Sequence, residues 1–430
     1  MQKNIIRVSG QMRLVALAIA AALAMAGPAS AAVSDNVTLY GQVNVSYDMI
    51  NTGTTTGGGS SQGIFSPRLS SNSSRIGLKG SNGLGRGWEL LAQAEVTLGS
   101  DTGASGCQVP EAGTTESSRL KCLFDRDTYL GLSNDDYGTL LAGRHDTPYK
   151  MATRRLDVFA DGIADNRSLM GTTIPGGANR VLSPGPPVVY ANPVVTGTFD
   201  GRLSNQFLYL SPSFGSLSMN IGYSNLSESN TYAVQPSGSA VSMAVMYEHG
   251  PVYATIAYED HSTNQNDVDP ILHTTVKATK LGLGYKMGIL DLGFAFEKIR
   301  DDFGNANAYD PVANPCGGMM DGANCSSHAT VYLSGKLRFA GDNAVKIAYT
   351  KAGQVGAANS ATSASQFAIG YDHDFNERTT GYVLYTSLMN DELVRYGLST
   401  AATSGEYSVN PTGIGGASPS VISFGMKHSF

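Results

Sequence analysis

The chain has 430 residues with 29 basic and 35 acidic side chains, a formal charge of −6, 51 glycines, 21 tyrosines, one tryptophan and only 15% charged residues. That acidic balance excludes nucleic acid as a natural partner, since phosphate contacts need a basic surface. Many glycines and tyrosines with few charges suit a sheet protein better than a helical one.

At the amino terminus Lys3, Arg7 and Arg13 precede an apolar run over 14–25, then Pro28 and the small residues Ala29, Ser30 and Ala31. This predicts a secretory signal peptide over 1–31. Its apolar run of about a dozen residues falls short of the roughly 20 a membrane helix needs. Loss of its three basic residues takes the mature chain, 32–430, to −9.

From there one unit repeats. Val37, Leu39, Val43, Val45, Tyr47 and Met49 share one face, and Thr38, Tyr40, Gln42, Asn44, Ser46 and Asp48 share the other. A period of two is a strand with one apolar side. Trp88 to Leu98, Leu217 to Tyr223, Val241 to Tyr247, Leu290 to Phe296 and Phe367 to Phe375 repeat it. Gly, Asn, Asp and Pro place seven tight turns, at 81–87, 134–138, 212–215, 249–251, 287–288, 340–343 and 376–378, with eight longer polar loops between them. Short turns alternating with long loops give eight hairpins, hence sixteen antiparallel strands in up-and-down order.

Periodicity alone leaves a soluble sandwich open. Three features favour a closed transmembrane barrel. Tyrosines recur near run ends (Tyr209, Tyr223, Tyr247, Tyr285, Tyr349, Tyr371), as an interfacial girdle requires. Phe424, Met426, His428 and Phe430 alternate to the last residue, so the final strand is expected to run to it. Charges such as Arg75, Lys79, Glu95, Glu297, Lys336 and Lys346 sit on the polar faces within strands, where a wide wet lumen would hydrate them.

The four cysteines fall as two close pairs, Cys107 with Cys122 and Cys316 with Cys325, and predict two loop-closing disulfides in an exported chain. No nucleophile elbow, phosphate-binding loop, zinc-protease helix or calcium loop occurs in the mature chain, and the seven histidines are scattered. No catalytic residue, metal or cofactor is therefore expected.

Val37-Thr38-Leu39-Tyr40-Gly41, Ser74-Arg75-Ile76-Gly77-Leu78-Lys79-Gly80 leading into Leu84-Gly85-Arg86-Gly87, Tyr129-Leu130-Gly131-Leu132, Gly138-Thr139, Gly143-Arg144 and the final Phe430 together resemble the general porins of Gram-negative bacteria, most closely the β-proteobacterial group. The resemblance spans the mature chain. It implies a homotrimer of sixteen-stranded barrels in the outer membrane, each with its own pore. It also implies a third long loop, here 145–201, folded inward as a constriction. By position it assigns Arg75 in the second strand, Arg126 in the fourth and Arg144 at the loop's start to a basic pore wall. The family's Pro-Glu-Phe type loop motif is absent, so Asp157, Asp161 and Asp165 are candidates for the facing acids only because they lie in the loop's first half. Phe430 would serve as the C-terminal signal to the assembly machinery, and lipid and lipopolysaccharide would surround the barrel.

The expected function is passive diffusion of ions and small hydrophilic solutes through a water-filled channel. One rival is a substrate-selective channel, for which Leu208 and Leu210, expected to face inward, and the long third loop leave room. The other is a surface adhesin or structural anchor acting through its loops.

Overall fold

The computed structural model describes residues 36–53, 65–101, 124–171, 199–225, 237–264, 273–303, 327–354, 362–391, 394, 396–398 and 416–430. The expected signal peptide, residues 1–31, and all four cysteines, and with them both expected disulfides, lie outside the described residues.

The strands are β1 (Val37–Asn51), β2 in two segments (Phe65–Ser71 and Arg75–Gly85), β3 (Trp88–Thr97), β4 (Thr128–Asn134), β5 (Gly138–Asp146), β6 (Arg202–Leu210), β7 (Leu217–Asn225), β8 (Ser237–His249), β9 (Val252–Asn264), β10 (His273–Met287), β11 (Leu290–Phe303), β12 (His328–Phe339), β13 (Asn343–Ala352), β14 (Ala364–Asn376), β15 (Thr379–Asn390) and β16 (Ser420–Ser429). Six of the seven expected tight turns fall at junctions of consecutive strands as placed; the first, expected at 81–87, is narrower, because β2 continues to Gly85 and only residues 86 and 87 turn.

Both segments of β2 pair with β1, the first from Val45↔Ser71 to Asn51↔Phe65 and the second from Val37↔Gly80 to Gln42↔Arg75. They are one strand broken at Asn72–Ser74, where Ser73 takes a φ of 55°. Each strand pairs antiparallel with the next, and β16 pairs with β1 from Gln42↔Ser429 to Asn51↔Ser420. The sheet is thus a closed sixteen-stranded barrel. Closure leaves no edge of unpaired N–H and C=O groups, which lipid could not satisfy. At the seam Phe430 and Gly41 exchange backbone hydrogen bonds of 3.1 and 3.0 Å. A Cβ on Gly41 would meet the Phe430 ring at 2.5 Å, so only glycine lets that ring lie against β1.

Side-chain alternation sets the two faces. Leu39, Leu130, Phe207, Ile256, Leu283, Leu333, Ile347 and Phe424 are exposed on the outside, the apolar band a lipid-facing surface needs. Their neighbours along each strand point inward, and many are buried although polar, among them Glu95, Lys280 and Glu297. The expectation that strand charges would sit in water fails for Glu297, which is fully buried. A helix, α1 (Pro148–Arg154), lies against β7 to β10 and begins the segment that covers it.

Candidate pore-lining site

The site starts at the break in β2. Arg75 opens the second segment, and Glu95 on β3 shares its inward parity. Tyr40 pairs with Gly77, and Gly77 pairs with Glu95. A Cβ at residue 77 would strike the Tyr40 ring at 2.5 Å. Its glycine lets the ring cross a strand and donate from Oη to Glu95 Oε2 at 2.9 Å.

Glu95 is the hub of this wall. Arg126 donates to its carboxylate through Nε, and Arg75 Nε stands 3.8 Å away. Arg126 is not within the fourth strand as expected: it precedes β4, where its N–H donates to the Glu95 carbonyl (3.3 Å) and its Nη1 to Ser73 Oγ (3.3 Å). Arg144 sits at a bulge. The β5–β6 register shifts between Gly143 and His145, with φ of 149° at Gly143 and 51° at Asn205. Bulges re-aim side chains, and here Arg144 donates to the Asp125 carbonyl (2.8 Å) and Ser204 Oγ (2.7 Å). Arg202 joins the group through Asp127 and, at 2.8 Å, Asp146, which also holds Lys150 at 2.7 Å.

The third loop supplies the facing residues. Thr147 caps α1 by accepting from the Lys150 N–H at 3.3 Å, with Pro148 in the first turn, where a missing N–H costs nothing. After α1 the chain turns tightly, and Asp165 caps a 3-10 turn, Asn166–Ser168, by accepting from the Arg167 N–H at 2.9 Å. Arg154 Nη2 lies 2.6 Å from Asp161 and 2.7 Å from Asp165, and its Nη1 is 3.6 Å from Asp157. Arg167 pairs with Asp165 at 3.0 Å and Asp161 at 3.5 Å. Of the three candidate acids, Asp161 meets the wall: its Oδ2 is 3.6 Å from Arg75 Nη1. The side chains of Asp157 and Asp165 are 1% and 0% exposed; Asp165 is spent on the loop's own fold, and Asp157 on that fold and on its contact with β12. Asp157 accepts from the N–H groups of Phe159 (2.9 Å) and Asn166 (3.0 Å) and from Tyr332 Oη on β12 (2.8 Å).

These surroundings pull the carboxyls apart. Burial opposes ionisation of Asp165, but the Arg154 and Arg167 guanidiniums hold it well below the usual carboxylate range. Asp157 is pushed up to about 6 by its own burial and by the charge of Asp165.

Both ends of the loop are fixed by a buried charge cluster. Lys280 on β10 reaches Asp200 at 2.6 Å and Glu297 on β11 at 3.3 Å, with its Nζ 4.2 Å from the centre of the Tyr149 ring. Glu297 accepts from Tyr149 Oη (2.8 Å) and from the Gly171 N–H (2.7 Å). Gly171 has a φ of 72°, and its carbonyl accepts from Phe199 N–H at 2.9 Å, so the described parts of the loop meet there.

Sequence reasoning did not assign Arg154, Arg167, Arg202, Asp127, Asp146, Asp200 or Lys280 to the site. Within the loop the only signal was Arg154 three residues before Asp157 and seven before Asp161, with four more to Asp165. Leu208, expected to line the lumen, is fully buried. No group of three or more His, Cys, Asp or Glu among the described residues could hold a metal ion.

Comparison with known proteins agrees with this architecture. The chain is 25% identical over 427 residues to outer membrane porin protein 32 of Delftia acidovorans, covering 97% of this chain and 99% of the relative. It is 23% identical over 345 residues to an outer membrane porin protein of Bordetella pertussis, covering 77% of this chain and 80% of the relative. Among solved structures, the anion-selective porin from Comamonas acidovorans superposes with a TM-score of 0.67 at 21% identity, over 92% of this chain and 99% of that one. A family model described as Gram-negative porin matches residues 16–393. With a closed barrel, an apolar outer belt and a charged interior, the chain belongs to the Gram-negative porins and is an outer-membrane channel for diffusion of ions and small hydrophilic solutes.

Proposed function

We propose that residues 147–171 lie within the lumen and narrow the channel against the wall that carries Arg75, Arg126 and Arg144. The observation behind this reading is the approach of Asp161 to Arg75 across the gap, 3.6 Å between Oδ2 and Nη1. Opposed fixed charges across a narrow wet passage create a transverse field. That field orients dipolar solutes and penalises apolar ones that cannot answer it. Arginine suits the wall because it stays charged at every relevant pH. Because Glu95 answers Arg75 and Arg126 and Asp161 faces Arg75, positive and negative charge are matched at the gap, the field runs across the passage rather than along it, and ion preference is weak. The burial of Leu208 removes one of the two lining residues that a solute-specific channel would have used.

The resemblance to general porins further supports a homotrimer embedded in lipid and lipopolysaccharide, with Phe430 read by the assembly machinery. It also fits bridging of Cys107 to Cys122 and of Cys316 to Cys325 after export of the 32–430 chain. Purified protein in planar bilayers tests the reading. Stepwise conductance in groups of three with a small reversal potential under a salt gradient is expected. A folded, heat-modifiable protein that conducts nothing would overturn the open channel and favour a loop-based anchor.

A further inference from the structure

The inner wall is not polar all round. On β13 to β15 the inward positions include Ala348, Ala352, Ala364, Ala368, Leu384 and Leu388, none more than 6% exposed, interleaved with the buried polar residues Thr350, Gln366 and Thr386. In a water-filled lumen such a face would leave apolar surface wet without gain; its methyl-sized side chains instead allow a second layer to come close. Part of that layer is the loop, through Phe159, Ile163, Leu169 and Met170. The remainder comes from the connection between β15 and β16: Val394, Tyr396 and Leu398 belong to the same buried cluster, at 4%, 2% and 0% exposure.

That connection is tied at its base. Asn390 Nδ2 donates to the carbonyls of Tyr396 (3.0 Å) and Ala417 (2.6 Å), and its Oδ1 accepts from the Tyr396 N–H at 2.9 Å. The Gly416 N–H donates to the Val394 carbonyl at 3.1 Å. One asparagine at the end of β15 thus holds outgoing and returning chain together and turns the three apolar side chains into the barrel.

We infer that Val394, Tyr396 and Leu398 form a clasp that positions the constriction: they complete the apolar bed of loop residues 159–170 and thereby fix the width of the passage on its arginine side. This rests on the reading that the third loop narrows the channel. The clasp works by packing, because Tyr396 Oη is buried with no hydrogen-bond partner among the described residues. Its ring is what the cluster uses.

Single-channel recordings of the full-length trimer carry the test, with heat-modifiable migration as the check on folding. Tyr396→Ala should raise the unitary conductance and add open-state noise, and Ile163→Ala, on the loop side of the same cluster, should do likewise. Tyr396→Phe should match the parent, because it keeps the ring and loses only the unpaired hydroxyl. If Tyr396→Ala does not fold, Leu398→Val, which removes one carbon, carries the test through a smaller rise in noise. Folded Tyr396→Ala and Leu398→Val channels with parental conductance and noise would overturn the clasp. Arg75→Ala, recorded in parallel, separates the two levels. If it shifts the reversal potential while the clasp variants do nothing, only the clasp falls; if it also does nothing, the constriction reading falls with it.

Discussion

The wall from β2 to β6 and the wall from β11 to β15 line one lumen and follow the same alternation, yet they are built from different chemistry. The first carries Arg75, Glu95, Arg144 and Arg202, each tied to a partner on a neighbouring strand or turn. The second carries Ala295, Tyr332, Ala348, Ala368 and Leu384, buried beneath the third loop and the 394–398 segment. Inward parity therefore does not by itself make a residue polar. What differs is the partner: Glu95 is buried among guanidinium groups, whereas Ala348 and Ala368 are buried among apolar side chains of residues 159–170 and Tyr396. At the edge of the second wall, Lys280 on β10 and Glu297 on β11 mark the junction: they carry charge like the first wall and are fully buried like the cluster of the second.

That junction is where the contrast breaks most easily. Glu297 satisfies Tyr149 Oη, the Gly171 N–H and part of the Lys280 charge at once. Glu297→Ala would leave all three in a buried site, and losing one partner of a buried pair costs roughly 3–5 kcal/mol. The loop should detach from the covered wall while the strands stay paired. Limited proteolysis should then cut within 147–171 in an otherwise heat-modifiable barrel. Resistance equal to the parent's would mean that the apolar cluster alone holds the loop.

A smaller effect follows from pH. Asp157 is raised to about 6 in the folded loop, above the ordinary carboxyl value near 4, so the folded loop takes up a proton more readily than a detached one. Its contribution grows as pH falls through 6 and is complete near 4, and the Tyr332 hydroxyl can turn from donor to acceptor to receive that proton. Asp165 is depressed, so its contribution is present above about 4 and is lost as pH falls towards its folded value. The loop should be held most firmly near pH 5, with more open-state noise at pH 8 and again at pH 3. Asp157→Asn should abolish the change between pH 8 and 5 and keep the one at low pH. A noise level flat from pH 8 to 5 in the parent would remove Asp157 from the loop's support.

The two regions also differ in how far the sequence discloses them. Sixteen strands and every tight turn follow from alternation and turn chemistry, because each strand's pattern is local. Arg75 and Glu95 are legible as inward charges for the same reason. The break at 72–74 is not, since Ser-rich stretches fit strand and turn alike. Nor does any period reveal that Arg154 pairs with Asp157, Asp161 and Asp165 and Arg167 with the last two inside the loop: those pairs depend on irregular turns around Asp161, whose φ is 66°. Alanines at 348, 364 and 368 read from sequence as ordinary strand residues. Their meaning appears only once Phe159 and Tyr396 are seen in the same cluster.

Arg75→Ala is the most delicate way to sharpen the contrast, because little but the passage should feel it. Glu95 keeps Arg126 and Tyr40, and Asp161 keeps Arg154 and Arg167, so no buried charge is stranded and the fold should not change. What is lost is one positive charge, a quarter exposed, at the edge of the proposed constriction. Cation permeability relative to anion should rise about twofold, equivalent to roughly 0.4 kcal/mol, with a modest gain in conductance from the vacated volume. Lys346→Ala is the matched change on the other wall. Lys346 is held by Asp372 at 2.8 Å, with its Nζ 4.8 Å from the centre of the Phe159 ring, so its removal should add noise through the loop and leave the reversal potential where it was. Equal shifts from the two variants would mean that both walls are wet and that the passage is central; a shift from Arg75→Ala alone would confine it to the arginine side.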